Sequence, residues 1–71
     1  MQKKTAAELL KMMIPLLISY LKELSIIPLS EKNEFLYGEQ TAYTECLEWL
    51  QLWEFSESFG LDFNVEKRFP L

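Results

Sequence analysis

Apolar residues recur every three or four positions along the first third of the chain: Leu9, Leu10, Met13, Ile14, Leu16, Leu17, Tyr20, Leu21 and Leu24. At about 100° per residue they sweep an arc of roughly 150° or more, with Glu8, Lys11, Ser19, Lys22 and Glu23 gathered opposite. That is an amphipathic helix with an unusually wide apolar face, predicted over about residues 6–26. Thr5 and Glu8 have the spacing of a capping box and set its start. Pro15 removes one backbone hydrogen bond inside it, which predicts a kink or, alternatively, a break into two shorter helices. Pro28 disfavours helical geometry at Ile27 and ends the element.

A second helical period follows. Phe35, Leu36, Ala42, Tyr43, Cys46, Leu47, Leu50 and Trp53 fall within one arc of a single wheel, so one long helix is predicted over about residues 30–59. In it Gly38 costs about 1 kcal/mol relative to Ala, a cost expected to allow close approach of the first helix. Gly60 stands where a left-handed residue closes a Schellman cap, with Leu61 folding back toward Phe55. From Gly60 to Leu71 the alternation of Leu61, Phe63 and Val65 with polar residues predicts an extended tail lying on a surface. The expected fold is therefore all-α: one small domain over residues 1–71, an antiparallel two-helix hairpin with an extended C-terminal tail.

Two features of the second helix are candidates for function. Ala42, Cys46, Trp49 and Trp53 are spaced i, i+4, i+7 and i+11, the seam by which helices pack, and are read as core or dimer interface. Leu52, Phe55 and Phe59 form a second stripe away from that seam, to be covered by the tail, by a second copy, or by another protein. Glu39 projects from within the apolar arc, where an unpaired charge is expensive; a Lys of the first helix or access to water would relieve it.

Composition narrows the chemistry. With 71 residues, one Cys and no His, neither an internal disulfide nor the usual zinc ligand set is available. Burial and chain entropy come close to cancelling in so small a domain, and the wide face of the first helix exceeds what one partner helix covers. A homodimer resembling a four-helix bundle is the expected solution. Cys46 reads as a small buried hydrophobe, and Glu45 and Glu48 as a solvated face without the His that di-metal bundles need. No metal, cofactor or catalytic residue is expected, and the protein is not read as an enzyme.

The charge of −4 is unevenly spread. Residues 1–30 carry four lysines against two glutamates, and residues 31–71 carry three cations against nine acids. A chain with no basic face is a poor ligand for nucleic-acid phosphates. Lys11, Lys22 and Glu23 interrupt the early apolar run, and no A-x-A-like cleavage site follows, so neither a signal peptide nor a membrane span is expected. Two rivals to a self-associating regulatory or accessory module follow from the same residues. One lays the Met12–Leu24 face on lipid with Lys3, Lys4, Lys11 and Lys22 near headgroups. The other is an acidic decoy for a nucleic-acid-binding protein, with Glu31, Glu34, Glu45, Glu48 and Glu57 in place of phosphates.

The stretch "NEFLYGEQTAYTECLEWLQLWEFSESFGLDF" resembles short uncharacterised proteins of Gram-positive bacteria that share a GExxAYxExLE-type helix followed by GLD or a similar phrase. The resemblance covers about the last half of the chain and implies a bacterial, cytoplasmic protein whose role is unassigned.

Overall fold

Thr5 opens the first helix as the spacing predicts: its hydroxyl accepts the Glu8 amide at 3.2 Å, while the Glu8 carboxylate accepts the Thr5 amide at 3.3 Å. In the computed structural model, which describes residues 2–70, this helix, α1, spans Ala6–Ser25. It runs unbroken through Pro15, whose exposed ring costs one backbone bond on the side away from the core. A short 3-10 turn, Leu29–Glu31, leads to α2, Glu34–Leu50. Asn33 caps α2 by accepting the Leu36 amide at 3.0 Å, so the helix starts later than Ser30.

The far end of α2 departs most from the sequence reading. Residues 51–59 are not helical continuation but a run of turns ending in the 3-10 segment Glu57–Phe59. Ser56 donates its hydroxyl to the Gln51 carbonyl at 3.2 Å, and the Gln51 side-chain amide donates to the Phe63 carbonyl at 2.7 Å. Glu54 and Glu57 would also sit at the negative end of a longer helix dipole. Turning the chain back brings Leu61, Val65 and Phe69 into the core, each burial worth about 1.5–3 kcal/mol, more than a few extra helical bonds return. Gly60 does take the left-handed conformation (φ 117°), and the bonds Leu61 N–H to Ser56 O and Gly60 N–H to Glu57 O complete a Schellman closure. The closure caps a 3-10 turn, and Leu61 packs into the core rather than folding back on Phe55.

The tail is not extended either. Asn64 accepts the Lys67 amide at 3.0 Å and starts a one-turn helix, α3, Val65–Arg68. Its neighbours Phe63 and Phe69 meet edge to face at 6.1 Å, and the Arg68 guanidinium lies 4.4 Å from the centre of the Phe63 ring. Met1 and Leu71, the ends of the expected domain and tail, lie outside the described residues.

The core is built from Ile14, Leu17 and Leu21 of α1, Leu47 of α2, and Leu61, Val65 and Phe69 of the returning tail. Tyr20 meets Tyr43 at a tilt, ring centres 5.4 Å apart, while Met13, earlier in α1, shares a groove with Cys46 and Trp49, later in α2. Contacts that advance along one helix retreat along the other, so α1 and α2 run antiparallel. The tail lies along one side of this pair, held to α2 by the side-chain amides of Gln40 and Gln51. Gly38 was expected to bring the helices together; instead a side chain there would meet nothing within 4 Å among the described residues. The result is a slab, its Cα extents 40 × 29 × 16 Å.

Candidate functional site

On α2 the residues that face the core are Leu36, Gln40, Tyr43, Thr44, Leu47 and Leu50, all buried or half-buried. Two of them are polar, and the seam read from the apolar pattern lies on a different face. Ala42, Cys46 and Trp49 are exposed, Trp49 by 77%, about a third of a turn around the helix from the core. They are therefore not core, and Cys46 is not a buried hydrophobe. Trp53, the fourth member, lies beyond the end of α2 and, half-buried, does pack against the core as read from the sequence.

The exposed stripe on α2 continues backwards. Phe35, Glu39, Ala42, Cys46 and Trp49 follow one another at i, i+4, i+7, i+11 and i+14, the spacing of a helix-packing seam. On α1, Leu9, Met13, Leu16, Tyr20 and Glu23 repeat the same five-position spacing, with Met12 beside them. Leu9, Met12, Leu16 and Tyr20 are exposed, Leu16 by 42%. Both stripes open on the same side of the hairpin: Met13, Ala42, Glu45, Cys46, Trp49 and Leu50 line one shallow apolar groove of about 450 Å³ between the helices. This side lies opposite the tail, because Thr44 and Gln51 are roughly half a turn from Cys46 and Trp49.

Glu39 and Glu23 occupy equivalent places in the two stripes, at the end of the hairpin next to the connecting loop. Glu39 is half-buried and Glu23 exposed, so water reaches both carboxylates. Lys11 does not join this side. Its ammonium sits 4.9 Å from the centre of the Phe59 ring, against the returning chain.

The other candidate, Leu52, Phe55 and Phe59, is not covered by the tail, since Phe63, Val65 and Phe69 pack inward. Leu52 is 86% exposed and Phe55 53%. Trp53 binds two of the three together, stacking on Phe59 at 5.5 Å and meeting Phe55 edge-on at 5.8 Å. With Lys11 on its other face, Phe59 belongs to a local aromatic cluster that braces the turn after α2.

Sequence reasoning missed Gln40 and Gln51, which carry the tail. Gln40 is buried, accepts the Lys32 ammonium at 3.2 Å and donates to the Pro70 carbonyl at 3.0 Å. The available signal was a polar residue in phase with Leu36, Tyr43 and Leu47. Among the described residues no group of three or more His, Cys, Asp or Glu side chains is placed to hold a metal, and no helix is long and apolar enough to cross a membrane. What is assembled here is a surface: two seams of mostly apolar side chains lying side by side on the open side of the hairpin, opposite the tail. Comparison with protein-family models, with curated proteins and with solved structures finds no match to this chain.

Proposed function

We propose that the protein is a small self-associating interaction module without catalysis, and that the open side of the α1–α2 hairpin is its working surface. The observation that carries this reading is the pair of seams, Leu9–Met13–Leu16–Tyr20, exposed except for the half-buried Met13, and the exposed Ala42–Cys46–Trp49, at a spacing that suits packing against further helices. A second copy stacked on this surface supplies two more helices and makes a four-helix bundle. A helical regulatory or accessory role follows from that assembly.

Light scattering at micromolar concentration tests the proposal, with Leu16→Ser and Trp49→Ala as paired variants. A dimer for the natural chain and a monomer of unchanged helicity for either variant support it. A monomeric natural chain removes it. The lipid reading draws less support, because the apolar seam of α1 has no Lys within it and Lys11 lies against Phe59.

A further inference from the structure

On the sealed side of the hairpin, α2 and α3 meet along a line that carries two carboxylates. Glu48, half-buried on α2, and Glu66, exposed on α3, both border two hollows there, of about 320 and about 250 Å³. Gln51 and Asn64 line the larger one and spend polar atoms on the fold: the Gln51 amide donates to the Phe63 carbonyl, and the Asn64 side chain accepts the Lys67 amide. Thr44, at the buried base of the smaller one, does not. It is 3% exposed, and its hydroxyl has no hydrogen-bond partner among the described residues.

A buried hydroxyl without a partner is a net cost to the fold, and packing does not account for it, since Val fills the same shape. Thr44 and Glu48 stand one turn apart on α2, so their side chains share a side of the helix. The fold of the tail brings Glu66 to them, and Gln40, a turn before Thr44, fixes that tail by donating to the Pro70 carbonyl at 3.0 Å. Two cations near this line are used elsewhere. Arg68 lies 4.4 Å from the centre of the Phe63 ring, and the Lys32 ammonium donates to Gln40. Lys67, beside Glu66, is exposed.

We infer that Thr44, Glu48 and Glu66 form a site for a hard divalent cation, best matched by Ca²⁺, which staples the tail to α2. All three donors are oxygens, the ligands that such cations select. Carboxylates bind Ca²⁺ through one or both oxygens at about 2.3–2.6 Å, and water fills the rest of its roughly six to eight positions. Donors drawn from two segments and open to solvent suit Ca²⁺, which tolerates irregular geometry, better than Mg²⁺, which demands an octahedron. With two acids and one neutral hydroxyl, the site is expected to bind at about 1 mM. It joins α2 to α3 only when the tail is folded, so binding and folding are linked. The site lies on the side opposite the open face and does not rest on self-association.

Thermal and chemical unfolding of the natural chain at one fixed protein concentration tests this, in EDTA and then with CaCl₂ up to about 10 mM, against NaCl of equal ionic strength. Saturation by about 10 mM Ca²⁺ is expected to shift the unfolding equilibrium about tenfold toward the folded chain. Glu48→Gln and Glu66→Gln are each expected to abolish that shift, and Glu57→Gln, an exposed acid on the turn after α2, to keep it. Thr44→Val, by weakening binding about fivefold, is expected to reduce the shift to about threefold while costing nothing in EDTA. Backbone amide NMR shifts in the same titration should move most around Thr44, Glu48 and Glu66, which locates the ion independently of stability. A shift no larger than NaCl produces overturns the site. So does a full response in Glu66→Gln, which assigns the effect to other acids of the chain. A full response in Thr44→Val takes the hydroxyl out of the site and overturns it as well.

Discussion

The two sides of the hairpin solve the same problem differently. On one, the chain returns and seals the helices: Leu61, Val65 and Phe69 are buried, and Gln40 and Gln51 hold the returning backbone by its carbonyls. On the other, Leu9, Met12, Leu16, Tyr20 and Trp49 stay in contact with solvent although their spacing is as regular as any core stripe. The described tail spends its apolar side chains on one side. The difference teaches that helical periodicity marks a surface suited to packing, without saying whether the packing is within the chain or between chains.

The sharpest way to separate the sides is to remove one aromatic side chain from each. Phe69→Ala, on the sealed side, is expected to cost about 3–5 kcal/mol, read as a large fall in the chemical-denaturation midpoint. Trp49→Ala, on the open side, is expected to leave the stability of the dissociated monomer within about 0.5 kcal/mol while abolishing association. Equal losses of monomer stability would erase the distinction.

The two glycines give a smaller contrast. Gly60 has φ 117°, so Gly60→Ala is expected to destabilise by about 1 kcal/mol or more, even though its Cβ would stand 3.7 Å from Ile14 without a clash. Gly38→Ala is expected to stabilise α2 by roughly 0.5–1 kcal/mol, because no neighbour obstructs the new methyl group. Thermal melts of the two variants should move in opposite directions.

The smallest effect concerns Thr44, whose buried hydroxyl has no hydrogen-bond partner among the described residues. Thr44→Val removes that orphan at nearly constant volume and is expected to be neutral or to stabilise by about 1 kcal/mol. A clear loss of stability would mean that the hydroxyl is satisfied after all.

The first helix was readable almost to the residue, because capping box, period and terminating proline all act locally on that segment. The second was misread at its end. Trp53 continues the apolar phase of Trp49, yet what stops the helix is non-local: the Gln51 amide reaching Phe63, and the gain from folding Leu61, Val65 and Phe69 inward. The choice of core face failed for a related reason. Gln40 and Thr44 are polar but buried, since one holds the tail and the other lies under it, whereas Ala42, Cys46 and Trp49 are apolar but open. A wheel weighted by hydrophobicity alone turns toward the open stripe. The open stripe remains the better candidate surface, although the residues first singled out with it, Leu52, Phe55 and Phe59, are now divided between a solvent-facing tip and a brace for the turn.

The central claim is that the open side is closed by a second copy, and the solution mass tests it most directly. Multi-angle light scattering across a dilution series from about 100 to 1 µM is expected to give twice the 8.4 kDa chain mass at the upper end, falling toward 8.4 kDa on dilution. A constant mass of 8.4 kDa throughout would contradict it.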